Sequence, residues 1–405
     1  MQSKKITIIG GGLSSLSASC YLARGGHDVT IVEKNESMGG RLSSFSSNGF
    51  IFDMGPSWYW MPDVFESFFL DFNKDIEDYY ELRRIDPSYK FFMNKSEVKM
   101  PTNINDIYSL FEMHEEGSSE KLKDFLAQAK KKYDISMKHF INLPNITPLE
   151  YFSKSILRHS LSLDLFKSLR RHISKYFRSK PLTQMLEFPS MFLGGSPENT
   201  PALYSLMNYA DIVNGTWYPM GGMMQVAKSF EKLSRELGVK HILNDEICNF
   251  NIKNNHLHFI ASKNNNTYSS DFYISCAEYP HIQTDILDSN NRSYNKKYWE
   301  KRDVAPSALI FYLGLSKKIK NLEHHNLFFD KDFDKHLDEI FKLKVWPSEP
   351  LFYVCCPSKT DNSVIPQSDY ENLFILVPIG PASNDNQDIR EKYFEQIIKR
   401  LEEKT

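Results

Sequence analysis

Gly10, Gly12 and Ser15 fall in the pattern G-x-G-x-x-S directly after the apolar run Lys5–Ile9. Glycine at the first position lets the chain turn sharply out of a strand. At the second, the missing Cβ lets an anion approach backbone N–H groups at a helix start, where the helix dipole also favours negative charge. The third position, normally glycine, sets how closely helix and strand pack; Ser15 is small enough to serve at some cost. Glu33 closes the next strand-like run, Asp28–Glu33, and is placed to accept hydrogen bonds from ribose hydroxyls. The chemistry these residues support is capture of a dinucleotide by its pyrophosphate and ribose.

Such residues need a β-α-β frame. Lys5–Ile9 reads as a buried strand, and from Leu13 the pattern turns helical until Gly25-Gly26 ends it. A further strand, Asn48–Met54, runs into Gly55-Pro56-Ser57. Residues from about 62 to 215 read as mainly helical, interrupted by prolines. A helix is expected over Met223–Leu237. Strands Ile247–Ile252, Leu257–Ala261 and Tyr268–Ser275 follow as a β-meander, because Asn254-Asn255 and Asn264–Asn266 supply the positive φ of tight hairpins. Strands Ala308–Gly314 and Leu373–Val377 and a polar helix Gln387–Glu403 complete the chain.

The chain has 405 residues, enough for two or three domain-sized cores. It is 41% hydrophobic and 25% charged, an ordinary globular balance, and its net charge of −2 gives a nucleic acid nothing to hold. An aromatic content of 14% suits large cores or an apolar ligand tunnel. The five cysteines form no CxxC pair, which points to a reducing, cytoplasmic compartment. The N-terminus lacks a signal-peptide pattern, and no window approaches the roughly 20 apolar residues of a membrane span. Membrane contact is therefore expected to be peripheral, on the inner face of the plasma membrane.

The fingerprint alone does not separate NAD from FAD. Gly39-Gly40-Arg41-Leu42-Ser43-Ser44, however, resembles the GGRxxS stretch of flavoproteins in the amine-oxidase and carotenoid-desaturase superfamily. Phe52-Asp53-Met54-Gly55-Pro56-Ser57 resembles the loop by which that superfamily passes close to its flavin. Gly215–Met223 (GTWYPMGGM), residues 189–211, Ser275–Glu278, Leu322–Phe329 and Pro350–Asp361 are similar to stretches of bacterial-type phytoene desaturases, so the resemblance spans essentially the whole chain. It implies an α/β fold: a Rossmann-like FAD-binding domain with β-meander (1–80 and 217–285), a helical, membrane-associating substrate region (81–216) and a mixed substrate domain (286–405). The implied cofactor set is Gly10, Gly11, Gly12, Leu13, Ser15, Glu33, Gly39, Gly40, Arg41, Gly55, Pro56, Ser57 and Ile247.

The implied reaction is desaturation of phytoene, a long polyene, toward lycopene-type products by hydride transfer to FAD. A related carotenoid isomerase, diapophytoene desaturase or carotenoid oxidase would use nearly the same residues. Two departures stand out. Family members continue beyond the position of Thr405 with a glycine-rich segment that completes the flavin site, so an inactive remnant is another reading. Glu278 also replaces a family aspartate.

For acid/base work the resemblance singles out Glu150, where family members carry an acid; a carboxylate beside an apolar cavity has a raised pKa. Residues 151–180 hold eight Lys or Arg against one Asp, and Leu161, Leu165, Leu169, Ile173 and Phe177 recur every four residues. That stripe suits either a helix lying on an anionic bilayer or a core-facing helix with a solvated basic face. His324-His325 invites a metal reading, but no third ligand is spaced nearby in the sequence, so packing and hydrogen bonding are expected and no metal.

Overall fold

The computed structural model describes residues 2–141, 143–144, 146–147, 163–381 and 384–405. The chain divides into two compact units. The first comprises Met1–Ser57, Asp75–Leu82 and Pro219–Asp303; the second comprises Trp58–Lys74, Arg83–Tyr218 and Val304–Thr405. Most of the segments expected as a helical region and as a third domain thus share one unit.

The first unit is built on strand β1 (Lys5–Ile9), helix α1 (Leu13–Arg24) and strand β2 (Asp28–Val32). β1 lies in the middle of a four-stranded sheet, between Phe272–Ser275 and β2, with Lys240–Ile242 beyond β2; every pairing is parallel. Parallel strands are covered on both faces, which is why KITII and DVTIV are continuously buried after their first residues. β3 (Ser44–Ser47) and β4 (Phe50–Asp53) form a hairpin closed by Asn48 and Gly49, both at positive φ as a two-residue turn requires. Ile247–Lys253, His256–Ser262 and Thr267–Tyr268 make the antiparallel meander, turned by Asn254 and Asn255 at φ of 53° and 60°.

The expected third meander strand is corrected here. It breaks after Tyr268, and Phe272–Ser275 joins the parallel sheet by pairing with β1. Asp271 makes the switch: its carboxylate accepts the Lys5 N–H at 2.8 Å and its own N–H bonds to the Lys5 carbonyl.

The second unit carries a six-stranded mixed sheet ordered Ser307–Leu315, Glu371–Ile379, Phe352–Cys355, His325–Phe329, Tyr89–Met93 and Glu97–Met100. The last two strands lie in the stretch expected to be mainly helical. Tyr89–Met93 is buried at every position, Lys90 included, and so short a segment shows no period by which to tell strand from helix. Helices Ile104–His114 and Ser118–His139 pack on one face of this sheet, and Gln387–Lys404 inserts Tyr393, Ile397 and Leu401 on the other.

The basic segment is also corrected. Residues 151–162, with Leu161, lie outside the described residues. From 163 onward there is no single long helix: Asp164 sits at φ 51°, and Ser168 caps a separate five-residue helix, Leu169–Ile173. Leu169, Ile173 and Phe177 are buried in the main core of the second unit. Part of the flanking charge is paired, with Arg170 donating to Glu187 at 2.9 and 3.0 Å and Lys167 to Asp164 at 2.7 Å.

Candidate functional site

All the described candidates for cofactor binding fall in the first unit, and three loops bring most of them together. Gly10 leaves β1 at φ +93°, against the backbone of Cys276 and Ala277. Gly11 donates its N–H to Glu33 at 2.5 Å, and the other Glu33 oxygen accepts the Asn35 N–H at 2.9 Å. The buried Glu33 carboxylate therefore fixes both the fingerprint turn and the end of β2, and its remaining lone pairs are what a ribose could use.

Gly12 is the N-cap of α1 with no side-chain cap, and the first turn carries no acid. A Cβ at Gly12 would meet nothing within 4 Å. This open position at a helix N-terminus, beside the uncapped N–H groups of the first turn (Leu13 among them), is the cradle an anionic diphosphate needs. Ser15 is fully buried against the sheet and its hydroxyl has no hydrogen-bond partner, consistent with packing as the task of that position.

The second loop lies against the first. Gly39 donates its N–H to the Gly11 carbonyl at 2.8 Å, Gly39 and Gly12 form a bridge pair, and a Cβ on Gly40 would come within 3.0 Å of the Gly12 Cα. Arg41 is exposed and ion-paired with Glu278, the residue that replaces the family aspartate. The third loop closes on the second: a Cβ on Gly55 would collide with the Arg41 carbonyl, and Met54 donates to the Ser43 carbonyl at 2.8 Å. Pro56 is exposed and Ser57 half-buried at its tip.

Ile247 stands apart from these loops by its side chain, which packs with Ile9, Val32 and Ile260 in an apolar cluster under the sheet. Glu150 lies outside the described residues.

Asp53 was legible only as part of a motif. Its Oδ2 accepts the Met223 N–H at 2.9 Å at the start of the helix Met224–Glu236, while Oδ1 faces Gly222 and has no hydrogen-bond partner. Burial pushes its carboxyl up to about 6, against the lowering effect of the Met223 and Met224 N–H groups. The signal was there as two separate glycine-containing stretches, but nothing in one dimension says that they meet.

The second unit holds an aromatic cluster around Trp58, whose ring lies 5.4 Å from Tyr89 and Phe192 and stacks on His325 at 4.1 Å. Beneath it Asp211 is buried, accepting from Tyr89 Oη at 2.6 Å and Thr216 Oγ1 at 3.2 Å. Burial raises its carboxyl to about 7. His324 is held at about 3 and His325 well below the usual histidine range, both by burial.

A strand–glycine turn–helix unit with a buried acid after the second strand, joined by a second glycine loop on the same turn, defines a dinucleotide-binding protein of the flavoprotein type. Comparison with known proteins carries this further. The family model for flavin containing amine oxidoreductases matches residues 13–396, and the chain belongs to that family. A carotenoid 3,4-desaturase of Haloarcula japonica is 36% identical over 407 aligned positions, covering 100% of this chain and 82% of that protein. A zeta-carotene-forming phytoene desaturase of Myxococcus xanthus is 29% identical, covering 98% and 77%. Among solved structures, a Pyrococcus furiosus protein superimposes with a TM-score of 0.64 at 17% identity over 98% of this chain and 84% of its own, a likeness of fold. The cofactor is FAD, and the open N-terminus of α1 with its acid-free first turn fits the diphosphate.

Proposed function

We propose that this chain is an FAD-dependent desaturase of an acyclic carotenoid, acting on phytoene to extend its conjugation toward lycopene-type products. The observation that carries this reading is identity along nearly the whole chain to carotenoid desaturases, among them a phytoene desaturase at 29%. FAD supplies the hydride acceptor for a C–H bond that no side chain can attack.

The chain's own residues then have three tasks. The Gly10–Gly12 turn and the first turn of α1 hold the diphosphate, with Glu33 fixing the turn by its bond to the Gly11 N–H. Arg41, held by Glu278, offers a cation and planar donors next to that turn. Partly buried Trp58 and Trp60 and exposed Phe192 in the second unit offer apolar surface suited to a polyene, whose orientation is the main contribution a protein can make to this chemistry. Glu150 is the proposed proton acceptor, and Glu150→Gln retaining full turnover would remove it from that role.

So apolar a substrate is drawn from a bilayer, and we place the protein in peripheral contact with one. No helix among the described residues is long and apolar enough to cross a membrane. Exposed Ile141 and Ile146, just before the basic segment in the sequence, and exposed Phe166 within it support such contact. Sedimentation with liposomes should increase with anionic lipid; indifference to it would count against the basic segment.

A second reading, 3,4-desaturation of a carotenoid that is already conjugated, is favoured by the name of the 36%-identical relative over that of the 29%-identical one. Co-expression with strains that accumulate phytoene or lycopene separates the two. New products from phytoene support the first reading, conversion of lycopene alone supports the second, and neither product overturns both.

A further inference from the structure

The sequence offers His324-His325 no third ligand, but the sheet of the second unit does. Strand His325–Phe329 pairs antiparallel with Phe352–Cys355, and in that register His325 stands opposite Cys355. All three side chains are buried, and each can bring one ligand atom within 4.8 Å of those of the other two. Three ligands around one ion, at bond lengths of roughly 2.0–2.3 Å, sit about 3.5–4 Å apart. The three ligand atoms therefore lie within about 1 Å of the separations a bound ion would set.

Each ring has one nitrogen engaged in a hydrogen bond and the other without a partner, the division that metal-ligating histidines show. A ligating histidine normally uses one nitrogen for the metal and is oriented through the other by a hydrogen bond. His324 Nδ1 lies 2.6 Å from Thr360 Oγ1, and His325 Nδ1 lies 2.6 Å from Tyr353 Oη. The two Nε2 atoms are buried and have no hydrogen-bond partner. Trp58, stacked on His325 with planes 8° apart, fixes that ring further. Two buried nitrogens without partners carry a desolvation cost that an ion would offset.

We propose that His324, His325 and Cys355 form a buried three-coordinate site for a single thiophilic metal ion, copper(I). The ligand types select a soft cation, because two imidazoles and a thiolate with no carboxylate disfavour magnesium, calcium and manganese. Charge selects the oxidation state. One thiolate with a monovalent ion is neutral overall, whereas a divalent ion leaves a net positive charge in a buried site. On binding, the Cys355 S–H bond is lost to a S–Cu bond, the proton passes to solvent and no electron moves. The ion would tie two central strands together beside the Trp58 cluster, and the proposal stands apart from the carotenoid reading.

The test is anaerobic titration of the purified full chain with copper(I) against a chromophoric copper(I) chelator. One equivalent should be withdrawn from the chelator. Cys355→Ser and His325→Gln should weaken binding by at least about 100-fold, beyond the roughly 10–100-fold of an outer-shell change, while Cys248→Ser, at an exposed cysteine, should bind like wild type. The wild-type titration does not depend on either ligand variant folding, and circular dichroism shows which of them do. No copper withdrawn by the wild type overturns the proposal, as does equal binding by a folded Cys355→Ser chain. One equivalent of zinc(II) taken up while copper(I) is refused overturns it as well.

Discussion

At the residue scale, glycines of one motif class have opposite tasks. Gly12 has ordinary extended geometry and open space where a Cβ would stand, so Gly12→Ala should fold normally. It should nevertheless fill the room a diphosphate needs, so the Kd for FAD should rise about tenfold or more, a loss of roughly 1.4 kcal/mol, while the melting temperature of the FAD-free protein stays unchanged. Gly55 is the contrast, because its Cβ would strike the Arg41 carbonyl. Gly55→Ala should lower stability itself by about 1–3 kcal/mol, read by chemical denaturation. Glu33→Ala leaves the Gly11 N–H without its carboxylate partner in a buried turn. Removing one partner of a buried hydrogen bond costs about 1–3 kcal/mol, and here flavin retention should fall with stability, whether stability is measured with or without added FAD.

At the element scale, charge placement explains where the sequence pattern misled. Leu169, Ile173 and Phe177 keep a four-residue period across what is not one helix, since the helix that Ser168 caps ends at Ile173, and Arg170 beside them meets Glu187. The periodicity reported burial correctly and continuity incorrectly.

The helix Leu206–Ile212 carries a sharper consequence in Asp211. Its carboxyl is raised to about 7 by burial, against about 3.9 in an unfolded chain. Between those values the folded state holds a proton that the unfolded state has released. This group therefore supports folding most at low pH, and that support is lost as pH rises from about 4 through about 7. Asp211→Asn cannot titrate. Its stability relative to wild type should climb as pH is raised across that window, measured by melting curves at each pH. A constant difference between the two proteins would show that the carboxylate is ionised throughout.

At the scale of the whole molecule, each unit rests on its own sheet, and the second is fastened by its last helix. Arg400 donates to Asp330 and to the Pro350 carbonyl, with its guanidinium 4.9 Å from the Phe352 ring centre. Arg400→Ala leaves Asp330 buried without its cation, a change that costs about 3–5 kcal/mol. Hydrogen exchange should accelerate in Phe352–Cys355 and in the helix Gln387–Lys404; unchanged protection there would mean the pair contributes nothing.

The sequence by itself determined β1, α1, β2, the fingerprint turn, the Asn-turned hairpins and the family, because local backbone demands and short motifs are written within a few dozen residues. Even Glu33 was legible, since its partners lie within the same β-α-β unit. Only the tertiary structure decided that Phe272–Ser275 leaves the meander for the parallel sheet, and that Tyr89–Met93 is a strand. It also decided that Asp53 meets Met223 and that His325 faces Cys355. Those pairings join residues far apart along the chain, and their free energy comes from burial and hydrogen bonds that exist only once the sheets have closed.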